Sequence, residues 1–337
     1  MSFLRFATRT LRPVPVCHFS TSTGGTPKSS SSNLPFYLGG AGVTGLGAYL
    51  FLGGSPAPFS TTTSKPKQKQ EKSALDPERF LDLKLKSIEP YNHNTSRFVF
   101  ELPDGGAALS PITSLVVVRA SEGSEHAPVD KKGNLAIRAY TPISSPDQEG
   151  ELVLLIKKYE NGVISKYVHE RLRPNDTLAI KGPIVKFPYK ANEFEDVALI
   201  GGGSGITPLY QLLNHALNDP VNRTRFTLLY ANVSEGDILL HEELATLQRA
   251  HPDTFKVVHT LDKPPAAGWS GASGYVSREL VQAHVPPAQK GDKIKVFICG
   301  PPGQVSAVAG KKDGMKQGEI GGILKELGYT EEQVFKF

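Results

Sequence analysis

Residues 197–208, VALIGGGSGITP, pass from a short apolar run through four glycines in five positions into a helix start. A run without polar alternation reads as a strand covered on both faces. Gly201, Gly202, Gly203 and Gly205 allow backbone N–H groups to approach an anion at a helix N-terminus, and Pro208 suits the first helical turn. The loop is not a G-x-G-x-x-G fingerprint, because Ile206 holds the last glycine position. Taken alone it reads equally as a structural turn. Its context decides: further continuous apolar stretches follow at 226–230, 255–260 and 295–299, with helical patterns at 208–217 and 239–250. Alternating strand and helix over 191–337 predicts a doubly wound parallel sheet whose ligand sits at the carboxyl ends of the strands.

Upstream, the pattern is different. Six short apolar runs, at 81–88, 97–102, 115–120, 137–140, 152–157 and 177–181, are separated by turn signals such as PDGG at 103–106 and SSPD at 144–147. They predict a six-stranded antiparallel barrel over 78–190, with one short helix at 166–172 stopped before Pro174. The fold class expected is therefore two-domain, β followed by α/β.

Charge divides the chain again. Its net charge is +5, yet no acid precedes Glu71, while residues 1–70 carry Arg5, Arg9, Arg12, Lys28, Lys65, Lys67 and Lys69. The remainder has 31 bases against 33 acids, which argues against a basic nucleic-acid face. Residues 1–33, with twelve Ser/Thr, three Arg and no acid, read as a mitochondrial targeting segment, a disordered basic tail being the rival reading. Residues 34–54 contain no charge, and as a helix would measure ~31 Å, the thickness of a hydrocarbon core. That predicts a single transmembrane helix, against a Gly-rich linker, followed by a flexible tether over 55–77. Two cysteines, Cys17 and Cys299, exclude a disulfide framework and a four-thiolate metal site, and no metal site is expected.

Three further motifs carry chemistry. RAYTPIS at 138–144 ends a predicted barrel strand, where the Arg138 guanidinium beside Tyr140, Thr141 and Ser144 can hold a diphosphate and a flat ring. NGVISKY at 161–167 is a turn into a helix, with Ser165 a phosphate ligand or a simple N-cap. VFICGPP at 296–302 is a buried strand ending in a rigid turn, where Cys299 reads first as packing.

In this order and at these separations the four motifs resemble the ferredoxin–NADP reductase superfamily of flavin enzymes, over about residues 78–337. Within it they are similar to the fungal mitochondrial branch that oxidises NADH and reduces a cytochrome b5-type haem protein. The resemblance implies that FAD binds Arg138, Tyr140, Thr141 and Ser144, with Lys157, Tyr159, Gly162, Ile164 and Ser165 completing the pocket. Thr207 and Pro208 would reach it from the second domain. Gly202, Gly203, Ser204 and Gly205 would receive the NADH diphosphate, and Gly300 and Pro301 the nicotinamide side. Asp262 would prefer a free ribose hydroxyl over a 2′-phosphate; its rival reading is a turn cap. The catalytic set implied is Thr141, Tyr140, His93 and Cys299, with His93 handling a proton. One departure is that Gly303, Gln304 and Val305 follow Gly-Pro-Pro where the superfamily often has Met. The implied acceptor is a cytochrome b5-type haem protein, and the implied location is the mitochondrial outer membrane through residues 34–54, with a cleaved intermembrane-space form also open. A reductase feeding an iron–sulfur protein or quinone, or preferring NADPH, and a non-enzymatic tethered nucleotide sensor or membrane adaptor stand as alternatives.

Overall fold

The computed structural model describes residues 72–337. The targeting segment, the transmembrane helix and the tether as far as Glu71 lie outside the described residues. Among the described residues no helix is long and apolar enough to cross a membrane.

The chain begins to pack at Ser73, whose hydroxyl donates to the Ala108 carbonyl at 2.6 Å, and Leu75 is buried in the first core. The first domain thus takes in residues expected to belong to the flexible tether. Its strands are β1 (Leu81–Asn92), β2 (Thr95–Glu101), β3 (Ser114–Ala120), β4 (Arg138–Tyr140), β5 (Glu151–Lys157) and β6 (Thr177–Val185). They form one antiparallel sheet in the order β4-β3-β6-β1-β2-β5. β3 shows why: Ser114, Val116, Val118 and Ala120 are buried and the residues between them less so, which is the period of two of a sheet with one inner face. Beyond β4, the Ile143 N–H donates to the Val153 carbonyl in β5 at 3.0 Å, so the sheet closes on itself. Between β5 and β6 lies α1 (Val163–Glu170), three residues upstream of the expected start, because Gly162 with extended backbone ends the preceding turn and serves as its N-cap.

The second domain contains β7 (Asp196–Gly202), α2 (Ile206–Asn218), β8 (Arg225–Asn232), α3 (His241–Ala250), β9 (Phe255–Leu261), β10 (Ala272–Ser273), α4 (Arg278–His284), β11 (Ile294–Cys299), α5 (Pro302–Ala309), α6 (Gly322–Glu326) and β12 (Val334–Lys336). The sheet is parallel, in the order β10-β9-β8-β7-β11-β12. Every residue of β7 is buried; Val197 and Leu199 join one core while Ala198 and Ile200 join another on the opposite face. That double burial explains the uninterrupted apolar run. α3 starts at His241 rather than 239, because Leu240 has a left-handed φ of 57° and caps the helix instead of entering it. Strand order reverses beside β7, so a crevice opens between the ends of β7 and β11. The core of the second domain continues into the first through Leu155 and Tyr189.

Candidate functional site

That crevice faces the barrel. The cleft between them has a volume of about 860 Å³ and is lined by Arg138, Tyr140, Thr141, Lys157, Tyr159, Gly162, Ile164 and Ser165 from the first domain. Gly202, Ser204, Gly205, Thr207, Pro208, Cys299, Gly300 and Pro301 line it from the second. Most residues expected at the site are therefore neighbours, although the two groups lie far apart in the chain.

Each is placed by an element end. Arg138 and Tyr140 sit on β4, whose register against β3 pairs Val118 with Arg138 and Val116 with Tyr140. Tyr140 packs on the barrel core, and burial pushes its hydroxyl up to about 12, so it stays protonated. The Ser165 hydroxyl accepts from the Tyr159 N–H at 3.3 Å, and the Tyr159 hydroxyl meets Ser204 Oγ at 2.7 Å across the cleft.

On the other wall, Gly203 takes a left-handed φ of 50°, and α2 begins with Gly205 as its N-cap. A Cβ on Gly205 would lie 2.3 Å from the Cys299 carbonyl oxygen, so glycine there lets the two strand ends meet. The Ile206 N–H already donates to the Gly203 and Ser204 carbonyls, and Pro208 has none, so it is the backbone of the glycine turn leading into this 13-residue helix that suits an anion. Cys299 is half-buried and burial pushes its thiol up to about 12, leaving it protonated and unreactive at neutral pH.

The lining fits a flavin dinucleotide. It carries three cations, Arg138, Lys157 and Lys186, and no carboxylate, as a diphosphate requires. Tyr140, Ile164 and Leu155 supply apolar wall for a flat ring. Lys186, which no sequence motif marks, also lines it, as do Pro302 of the Gly-Pro-Pro turn and the C-terminal Phe337. Gln304 supports it from behind, its Nε2 donating to the Gly201 carbonyl at 3.1 Å.

Four expected residues stand outside the cleft lining. Gly203 belongs to the loop, its carbonyl accepting from the Tyr230 hydroxyl at 3.0 Å. Ser144 accepts the Val153 N–H at 3.1 Å and lines a separate cavity of about 500 Å³ with Ile143, Tyr210 and His215. His93 is exposed on the turn between β1 and β2, with Nε2 3.6 Å from Asp237 Oδ1. Asp262 follows β9 on the same carboxyl edge as the glycine loop, its N–H donating to the Asn232 carbonyl at 3.0 Å, and burial raises its carboxyl above the ordinary value.

A closed antiparallel barrel joined to a parallel sheet, with a cationic cleft at the switch point, defines a two-domain flavin and nicotinamide oxidoreductase. Residues 82–189 match the oxidoreductase FAD-binding domain family and residues 199–310 the oxidoreductase NAD-binding domain family. The chain is 43% identical to NADH-cytochrome b5 reductase 2 of Mycosarcoma maydis, over 96% of this chain and 93% of that protein. It is 39% identical to the protein of that name from Coccidioides immitis, over 99% of this chain and 100% of the relative. Among solved structures it is similar to the cytochrome b5 reductase domain of Ulva prolifera nitrate reductase, with a TM-score of 0.66 and 26% identity, covering 79% of this chain and 100% of that one. The chain belongs to the NADH-cytochrome b5 reductase family.

Proposed function

We propose that the protein takes a hydride from NADH onto FAD and passes electrons one at a time to a cytochrome b5-type haem protein. The observation that carries this is the carboxylate-free cleft holding Arg138, Lys157 and Lys186, set between a barrel and the switch point of a parallel sheet. Bound FAD supplies the chemistry, accepting two electrons with a hydride and giving them up singly. The protein binds and orients. Arg138 and the N–H groups around Gly162 and Ser165 hold the flavin diphosphate, Tyr140 packs against the ring, and Thr141 offers a hydroxyl beside it. Ser204, Gly205 and the backbone of the glycine turn leading into α2 hold the second diphosphate. Gly300 and Pro301 give the nicotinamide a rigid wall, with the protonated Cys299 thiol as a neutral contact. Asp262 repels a 2′-phosphate and so favours NADH over NADPH. His93, expected to handle a proton, stands on an exposed turn beside Asp237 and not in the cleft.

The location proposed is the mitochondrial outer membrane, with residues 34–54 as the anchor. The Ser-rich, acid-free leader and the 21 uncharged residues of 34–54 support it.

The test is reduction of purified cytochrome b5 by the purified protein and NADH, with ferricyanide as a control acceptor. Turnover with both is expected. Turnover with ferricyanide alone would keep the flavin chemistry and remove cytochrome b5 as the acceptor; no turnover with either would overturn the reading.

A further inference from the structure

Behind the cleft wall, side chains from both domains meet at one carboxylate that lies outside every motif described above. Lys157, the last residue of β5, lines the cleft with its side chain only 15% exposed. Its Nζ donates to Asp237 Oδ1 at 3.0 Å, across the domain boundary. Asp237 is itself 10% exposed and well fixed: Oδ2 accepts from the Ser234 hydroxyl at 2.7 Å and from the Ser234 backbone N–H at 3.2 Å. This is a reciprocal cap around the 3-10 turn Glu235–Asp237, which follows β8. One carboxylate oxygen thus ties Asp237 to its own domain and leaves the other for the barrel. Burial pushes the carboxyl up, but the Ser234 hydroxyl and the Lys157 ammonium outweigh it and hold the group below its ordinary value. Asp237 is therefore an anion at neutral pH.

We propose that Asp237 is a positioning residue for NADH binding: through it the second domain, which matches the NAD-binding family, holds the Lys157 ammonium on its own side of the cleft, for the nicotinamide dinucleotide rather than for the flavin diphosphate. This rests on reading the cleft as the dinucleotide site. An unrestrained lysine loses its rotamer freedom when it grips an anion. Here that ordering is already complete, because the partner carboxylate is immobilised through its other oxygen by Ser234. The same ion pair is one of several contacts that join the two domains. Asn92 Nδ2, donating to the Gly236 carbonyl at 2.9 Å, braces the same turn from the barrel side.

The experiment uses the full chain with bound FAD and titrates NAD+ by calorimetry, with flavin content measured on each sample. Asp237→Asn keeps the shape and removes the charge; it is expected to bind NAD+ about tenfold more weakly at full flavin content. In steady state the loss is expected in KM for NADH rather than in kcat, and Asp237→Glu is expected to recover most of it. Native affinity in Asp237→Asn would overturn the proposal, as would flavin loss in parallel with NAD+ loss, which marks a merely structural prop. Should Asp237→Asn not fold, Ser234→Ala loosens the carboxylate while keeping its charge: weaker NAD+ binding with intact flavin is expected, and native affinity overturns the proposal. If the native holoprotein binds no NAD+, the reading of the cleft itself falls, and the proposal with it.

Discussion

At the scale of single residues, burial decides chemistry. The Cys299 thiol lines the cleft, yet burial pushes it up to about 12, and the thiolate is the form that reacts. Maleimide labelling of the Cys299 peptide at pH 8 should therefore run slower than in the unfolded chain by a factor on the order of 10²–10³. Mass spectrometry at that peptide separates it from Cys17, and equal rates in folded and unfolded protein would contradict the assignment. The same shift gives a sign to the pH dependence. The unfolded thiol ionises near 9.0 and the folded one near 12. The unfolded state thus releases its proton first, and this contribution to stability is complete below pH 9 and is lost as pH rises toward 12. The role proposed for Asp262 is repulsion instead. Asp262→Ala should raise kcat/KM for NADPH relative to NADH by about tenfold or more, since one charge contact is removed from the ribose end. An unchanged NADH:NADPH ratio would count against its role.

At the scale of elements, β12 shows a charge used as a staple. Lys336 is 2% exposed, and its Nζ donates to the carbonyls of Glu319 at 2.8 Å, Lys311 at 3.3 Å, Gly318 at 3.4 Å and Gly310 at 3.5 Å. It gathers the segment 310–319 against the sheet and delivers Phe337, the next residue, to the cleft. Lys336→Met leaves buried carbonyls unserved and should cost about 1–3 kcal/mol in urea unfolding; an unchanged midpoint would contradict this. β12 also shows where sequence reading stops. The central strands β7, β8 and β11 are legible because burial on both faces makes their runs almost wholly apolar, whereas β9, FKVVHTL, is buried only at its ends and shows more weakly. β12 has three residues with a lysine among them, and α6 has five, too few to show a period. α5 opens Pro302-Gly303 and reads as a turn until its buried Val305 and Val308 meet the sheet. The site divides in the same way. Arg138, Tyr140 and Thr141, like Ser204 and Gly205, are contiguous and carry their chemistry in the chain. Lys186, Gln304, Phe337 and Asp237 gain theirs only when distant segments meet.

At the scale of the whole molecule, the two domains share more than the cleft. Arg97 pairs with Glu243, the Leu240 N–H donates to the Tyr91 hydroxyl at 2.8 Å, and Gln211 Oε1 accepts the Ser114 N–H at 3.0 Å. With Leu155 and Tyr189 joining it, one core of the second domain is completed by the barrel. Urea unfolding followed by flavin release and by far-ultraviolet circular dichroism should give one coincident transition, whereas two separated midpoints would show independent domains. This rigidity matters because hydride transfer needs two rings held in one geometry, which a shared core and bridging ion pairs provide. The most direct measurement is addition of NADH to the purified protein under anaerobic conditions while the visible flavin absorbance is recorded. Rapid bleaching by one equivalent of NADH, much faster than by NADPH, is the result expected from this cleft. A protein that carries no flavin, or a flavin that NADH leaves oxidised, would contradict it.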